Sequence, residues 1–465
     1  MNDIELALTI AFNLINIYFL LIITRTYVLS FYALRYRKKL RKYGVNKSLL
    51  ARRPFVSIMI PVYNEPNVID RILRACVELD YDNYEVIVVD DSTDETIEKL
   101  RVWAKHPRVK VIHRDHRTGW KGGALDEGLK QLNPKSEFIL VFDADFIPPR
   151  DIIKKLLSRF LNEKIAAVQG YHLSILNADE NWVTRAARVN LSFGYAIDMA
   201  GRAGLGGAPQ LGGSVMMIRR KVLEEVGGFG HSITEDYDLT LRLYEHGYEV
   251  FYDETVKVPC ECPSTLRHFI RQTCRWVEGR MRDFRRRITT VLKSKKLPLR
   301  KKLDLLMDGL TNLSAPFFMF CLAWTVISPL LSLRVPFFLE LLHVPWPVHA
   351  IYTLYTLACL PFAQMVALKK EGEKRTAKWI VCFLLALGTA FPFYARACLK
   401  GAFTNTSYFY RTYKTGKITR LYEQAWRLRV PTGIMTSSPY LSSGVPSILA
   451  LAQIMNFLSR RGWLL

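Results

Sequence analysis

Two kinds of hydrophobic pattern alternate along this chain. Residues 6–24 form an unbroken apolar run, about as long as a bilayer-spanning helix needs. From Pro54 onward the apolar stretches shorten and become β-branched, and 55–60, 84–89, 109–113 and 138–142 each read as a buried strand. Helical spacing covers 67–79, 94–105 and 125–132 between them, the second opening on acidic residues that suit a helix's positive end. This βαβαβ alternation predicts a parallel sheet with helices on both faces. Long apolar runs return at 310–333 and 348–368, with a shorter one at 379–395.

Charge sharpens this division. The formal net charge is +23, and basic clusters sit beside the apolar runs. Arg35, Arg37, Lys38, Lys39, Arg41 and Lys42 follow the first, while Lys293, Lys295, Lys296, Arg300, Lys301 and Lys302 precede the next. By the positive-inside rule the domain after the first run is cytosolic and the N-terminus lies outside. The first run ends at Arg25 rather than at a small-residue cleavage site, so it reads as an anchor. No helix-turn-helix, zinc-finger or RNP pattern accompanies the basic residues, so a nucleic-acid partner is not expected.

Segment 336–347, with Pro336, Pro345 and Pro347, is expected along the membrane interface. Segment 379–395 is short and contains Gly388 and Pro392. If it spanned, the basic tail from Arg411 to Arg429 would lie outside, against the charge rule, so a segment returning to the cytosol is expected. Asn405-Thr406-Ser407 matches a glycosylation acceptor, which has no use on a cytosolic tail. The chain thus divides into an anchor with a basic juxtamembrane segment (1–50), an α/β domain (51–290), membrane or interfacial helices (291–400) and a basic tail (401–465). The eight cysteines show no disulfide framework. Cys260 and Cys262 form a lone C-x-C without the further ligands that zinc requires.

Ligands of parallel α/β sheets bind beyond the carboxyl ends of the strands. Three predicted strands end in polar clusters: Pro61-Val62-Tyr63-Asn64-Glu65, Asp90-Asp91-Ser92-Thr93-Asp94 and Asp143-Ala144-Asp145. No G-x-G-x-x-G or Walker A sequence follows a strand, so a dinucleotide site or a P-loop is not expected. A carboxylate-lined pocket needs a cation before it holds a phosphate. Asp143 and Asp145 form a D-x-D that can hold Mg2+ or Mn2+ and leave positions open for diphosphate oxygens. A D-x-D alone is more often a turn or cap; with Asp90 and Asp91 ending the second strand, the metal reading prevails.

Thr234-Glu235-Asp236 opens a helix, where a carboxylate serves either as a cap or as a base for an acceptor hydroxyl. One base with a metal-held diphosphate suits a single in-line displacement with inversion. Gln272, Arg275 and Trp276 fall at i, i+3 and i+4 and share a helix face. There an Arg can clamp phosphate while an indole stacks on a sugar, unless the pair is only an interfacial anchor. Thr118-Gly119-Trp120-Lys121-Gly122-Gly123 bends into a helix, and Lys121 with the local amides can meet a diphosphate; a plain turn is the alternative.

In this order the motifs PVYNE, DDSTD, WKGGAL, DAD, TED and QTCRW resemble glycosyltransferase family 2, over roughly 54–287. The likeness is to its membrane-bound branch of cellulose, hyaluronan and cellulose synthase-like A mannan synthases. It implies a GT-A-type nucleotide-sugar-binding domain flanked by transmembrane helices, UDP- or GDP-sugar donors and inversion. It further implies that Tyr63, Glu65 and Asp91 line a nucleoside pocket with Asp90 beside it. Lys121 would reach the diphosphate, Asp143 would face donor sugar or ribose, and Asp145 would ligate the metal. Asp236 would be the base, and Gln272, Arg275 and Trp276 would meet diphosphate and acceptor. Two departures stand out. Gln210-Leu211-Gly212-Gly213-Ser214 replaces an aromatic-Asn-Gly-Thr stretch that faces the acceptor. Arg411-Thr412-Tyr413-Lys414-Thr415-Gly416 resembles R-T-P-K-T-G, a cytosolic segment able to cover the site.

The expected activity is processive synthesis of a β-linked polysaccharide from UDP-glucose or GDP-mannose at the cell membrane, with the membrane helices as exit path. Single transfer to a lipid acceptor would use the same residues. A receptor on a degenerate transferase fold would tolerate loss of Asp143, Asp145, Asp236, Arg275 or Trp276, and all are present.

Overall fold

The computed structural model describes residues 3–331, 337, 340, 343–405 and 408–422. The tail beyond 422, part of 336–347 and the last two residues of Asn405-Thr406-Ser407 lie outside the described residues. Seven strands, β1 (Phe55–Val62), β2 (Tyr84–Asp90), β3 (Val109–His113), β4 (Ser136–Val141), β5 (Ile165–Ser174), β6 (Met216–Arg219) and β7 (Glu249–Cys260), make one sheet. Its order is β3-β2-β1-β4-β6-β5-β7.

The four strands legible in the hydrophobic pattern pair in parallel, β1 with β2 and β4, and β2 with β3. Their alternate residues feed two apolar layers. Ile58, Ile60, Leu73 and Phe138 pack on one face, and Met59, Ile87, Leu125 and Val141 on the other. Burial on both faces explains why these strands read as continuous apolar runs. The sheet is parallel-dominant but mixed, because β6 runs antiparallel to both β4 and β5. β6 has four residues, too few to show a period. Two reversals restore direction, so β5 and β7, parallel to each other, run with β1 to β4. Val62, Asp90, Val141 and Cys260 therefore all end at one edge of the sheet.

Among the described residues, four helices are long and apolar enough to cross a membrane: Glu5–Leu40, Leu299–Ser328, Trp346–Glu371 and Thr376–Phe403. The first passes directly into the α/β region. Its Leu29 is buried against Gly201, where a Cβ would stand 2.5 Å from the Leu29 carbonyl oxygen. Higher up, the Tyr18 hydroxyl lies 2.7 Å from Ser314 Oγ, and the Tyr27 ring stacks on Tyr355 with centroids 4.8 Å apart. These contacts gather the first, second and third apolar helices.

Thr376–Phe403 is one 28-residue helix that includes Gly388 and Pro392. Trp379, Phe383, Ala386, Ala390 and Tyr394 are buried on its inner face, while Val381, Leu385, Phe393, Leu399 and Phe403 are exposed. Near its start, Arg188 lies 4.8 Å over the Trp379 ring. Near its end, Lys400 pairs with Glu278 at 3.1 Å, and a Cβ on Gly401 would stand 2.3 Å from the Glu278 carbonyl oxygen. Both ends of this helix rest on helices of the 51–290 region.

Candidate active site

The strand ends surround a cavity of about 680 Å3. Tyr63, Glu65, Asp91, Lys121, Asp143, Asp145, Asp236, Gln272, Arg275 and Trp276 all line it. Asp90 does not. Its buried carboxylate accepts the Ser92 amide at 3.0 Å and sits 2.7 Å from His113 Nδ1.

Lys121 is the electrostatic centre. Gly119 ends the preceding turn at φ +69°, and the helix Trp120–Lys130 starts there. Gly122 seats this helix, since a Cβ would stand 1.9 Å from the Gly230 carbonyl oxygen and 3.2 Å from Glu235 Cβ. This close approach brings Lys121 Nζ within 2.7 Å of Asp143 and 3.2 Å of Glu235, while it donates to the Gly213 carbonyl at 2.6 Å. Burial opposes its charge, yet Asp143 and Glu235 hold its pKa above the usual lysine value. In return, burial raises the Asp143 carboxyl but Lys121 more than offsets it, leaving it below the ordinary range.

Asp236 stands in the first turn of the helix Glu235–Glu245. It accepts the Tyr237 amide at 2.9 Å and has no ion pair among the described residues. Burial pushes its pKa up against the pull of Lys121, and burial pushes adjacent Glu235 up to about 7. A carboxylate so placed is a stronger base than one in water.

Gln272, Arg275 and Trp276 lie on the helix Leu266–Lys293, whose first turn is capped by Thr265. Arg275 donates to the Ile233 carbonyl at 3.2 Å, while its Nε is buried with no partner among the described residues. An unpartnered guanidinium N–H at a cavity wall suits an anionic ligand. Arg117 lies 3.7 Å over the Tyr63 ring, and Arg114 grips Asp91 with two 2.6 Å hydrogen bonds.

Segment 408–421 crosses the cavity as a strap. Arg411 makes two 3.0 Å bonds to Glu65. Lys414 Nζ lies 2.7 Å from Asp145 Oδ2, and the Thr415 and Gly416 amides donate to Glu261. The Phe409 ring stacks on Trp120 and lies 4.3 Å below Arg275. Asp145 also accepts the Glu261 amide at 3.0 Å. No group of three His, Cys, Asp or Glu is gathered as a metal cage among the described residues. Asp143 and Asp145 each hold an ammonium instead, and hard carboxylate oxygens that bind an ammonium also fit Mg2+ or Mn2+.

Arg114, Arg117, Glu235 and Glu261 belong to the site but carry no role in the sequence reading. Glu261 had a signal: it lies between Cys260 and Cys262, whose thiols are free and buried, so the intervening residue faces the opposite way at a strand end.

A mixed sheet with its carboxylates, a central lysine and a metal-fitting pair at one strand-end edge is a GT-A-type domain. The profile of glycosyltransferase like family 2 matches residues 53–279 of the chain. It is 31% identical over 296 residues to the probable glucomannan 4-beta-mannosyltransferase 4 of Oryza sativa subsp. japonica, covering 61% of this chain and 53% of that protein. It is 32% identical over 286 residues to glucomannan 4-beta-mannosyltransferase 1 of Cyamopsis tetragonoloba, covering 58% and 54%. The chain thus matches about half the length of these relatives. Among solved structures, the mannosyltransferase PcManGT of Pyrobaculum calidifontis, in complex with GDP-Man and Mn2+, shares the fold. Its TM-score is 0.51 at 18% identity, covering 84% of this chain and all of that one.

Proposed function

We propose that the chain is an inverting, membrane-embedded mannosyltransferase that extends a β-linked polysaccharide from GDP-mannose. The observation that carries this reading is the meeting of Lys121, Asp143, Asp236 and Arg275, whose Nε has no partner among the described residues, around one cavity, in a chain similar to 4-beta-mannosyltransferases. UDP-glucose is the competing donor.

In this reading Asp236 takes the proton of the acceptor hydroxyl as that oxygen attacks the anomeric carbon. The bond from that carbon to the diphosphate oxygen breaks on the opposite face, so the anomer inverts. Lys121 and Arg275 neutralise the departing diphosphate. Tyr63, Glu65 and Asp91 hold the nucleoside, and Gln272 and Trp276 face the acceptor sugar. Asp143 and Asp145 would hold a divalent cation, which when bound supplies positive charge to the diphosphate. Residues 1–50 and 291–400 fix the catalytic region 51–290 to the membrane. Because both ends of Thr376–Phe403 rest on that region, we read this helix as lying along the cytosolic interface rather than crossing.

One observation favours the second reading, a lipid acceptor. The cavity wall extends to Ile22, Thr26 and Leu360 of the membrane helices. Membranes containing the protein, incubated with labelled GDP-mannose or UDP-glucose and Mn2+ or Mg2+, decide between them. Label in large water-soluble material from GDP-mannose is expected. Label confined to the organic phase would make the enzyme a glycolipid synthase, and label from neither donor would remove the proposal.

A further inference from the structure

The loop Gln210-Leu211-Gly212-Gly213-Ser214 has no role in the mechanism above. Its position is central. Gly213 adopts φ +78°, and a Cβ there would stand 3.1 Å from both Asp236 Oδ2 and Lys121 Nζ. The Ser214 hydroxyl accepts the Asp143 amide at 3.0 Å, and the Leu211 amide donates to Thr240 Oγ1 at 2.9 Å. The loop therefore touches the lysine–carboxylate pair and the helix of the base together.

One buried polar set fixes it. Gln169 Oε1 accepts the Gly212 amide at 2.8 Å. The Ser214 carbonyl accepts Gln169 Nε2 at 2.9 Å and His172 Nε2 at 2.6 Å, which uses both of its lone pairs. A carbonyl only accepts, so His172 carries its proton on Nε2. Nδ1 is then free to accept the Tyr195 hydroxyl at 2.7 Å. Tyr195 sits in a π-helical turn, Gly194–Met199, a local geometry common at functional sites. The fit is close: a Cβ on Gly212 would stand 2.2 Å from the Tyr195 hydroxyl.

We propose that His172 is a positioning residue for the acceptor. Held by Tyr195, it clamps the Ser214 carbonyl so that Gly212 and Gly213 form the wall against which the acceptor hydroxyl meets Asp236. This inference rests on Asp236 being the base. It separates two events the site performs. Donor binding and cleavage by water depend on Lys121, Asp143 and Arg275; His172 bonds to none of them, and the loop meets Lys121 and Asp143 only through the Gly213 carbonyl and the Ser214 hydroxyl. Transfer to a sugar depends on the wall.

The test uses the detergent-purified full chain with GDP-mannose, Mn2+ and β-1,4-mannotetraose as acceptor probe. Wild type is compared with His172→Ala, His172→Gln and Tyr195→Phe for donor KM, acceptor KM and the ratio of mannose released to water over mannose transferred. For His172→Ala, donor KM stays within about twofold, while acceptor KM and the water-to-transfer ratio each rise roughly tenfold, the size of one lost buried hydrogen bond. His172→Gln, whose amide still donates toward Ser214, lies between. Tyr195→Phe shifts the same two quantities less. A parallel fall of hydrolysis and transfer, or an unchanged acceptor KM in every variant, overturns the proposal. If His172→Ala does not fold, Tyr195→Phe decides, since it removes one hydroxyl. Asp236→Asn in the same assay keeps the two readings apart: normal transfer there removes the base assignment, while the loop is judged on acceptor KM alone.

Discussion

The ammonium of Lys414 lies 2.7 Å from Asp145 Oδ2, the carboxylate we assign to the metal. Burial opposes the lysine charge, yet Asp145 and Glu261 hold its pKa above the usual lysine value, so it is a fixed cation in the metal's place. A lysine and a divalent ion cannot share one carboxylate oxygen without strong repulsion. On this assignment, seating the strap and loading the metal would compete. Lys414→Ala should tighten Mn2+ binding in the absence of nucleotide by roughly tenfold, the scale of one charge-assisted hydrogen bond. Titration of the Mn2+ electron-spin signal measures this directly. Unchanged Mn2+ affinity would mean that the ion binds elsewhere.

The base assignment makes a two-part prediction. Asp236→Asn should retain GDP-mannose affinity but lose transfer by about 100-fold or more, as removal of a general base does. The wild-type pH profile carries the second part. Burial raises both members of the Glu235–Asp236 pair, Glu235 to about 7. A base works only when deprotonated, so the acid limb of kcat/KM should lie above the ordinary carboxylate value of about 4. An acid limb at or below that ordinary value would place the base elsewhere.

Gly122 gives a stability prediction. Its missing Cβ lets the Lys121 helix approach to where such an atom would stand 1.9 Å from the Gly230 carbonyl oxygen, a backbone atom that cannot rotate away. Gly122→Ala should destabilise the fold by about 1–3 kcal/mol, the usual penalty of overpacking, and shift Lys121 away from Asp143. Thermal unfolding in detergent with and without GDP and Mn2+ checks both effects. A variant with unchanged melting temperature and unchanged ligand stabilisation would show that the helix has room to move.

The fold's parallel half was legible because β1, β2, β3 and β4 carry local signals, apolar runs followed by Tyr63, Asp91 or Asp143. What the pattern could not carry was space. β6 is too short for a period, and its antiparallel insertion is what delivers Glu261, the residue after β7, to the same edge as Asp145. The contacts of His172 with Ser214 and of Arg411 with Glu65 join residues 42 and 346 positions apart. No local spacing announces them. Asp90 shows the converse: it shares a motif with Asp91, but strand alternation turns it to His113 and out of the cavity.

The contacts at its two ends bear on how the last apolar helix meets the membrane. Thr376–Phe403 is long enough to cross, yet Trp379 near its start and Gly401 near its end both rest on helices of the catalytic region. A crossing helix would separate its ends by about 30 Å of hydrocarbon. The strap that follows reaches Glu65 and Asp145, which requires it to share a side with them. Cysteines introduced at Lys105, on the catalytic region, and at Lys417, on the strap, should therefore react with a membrane-impermeant maleimide from the same face. Both label in inverted vesicles and neither in sealed right-side-out ones, measured against the unsubstituted chain. Labelling of the two positions from opposite faces would make Thr376–Phe403 a true span, and the strap would then have no path to the site.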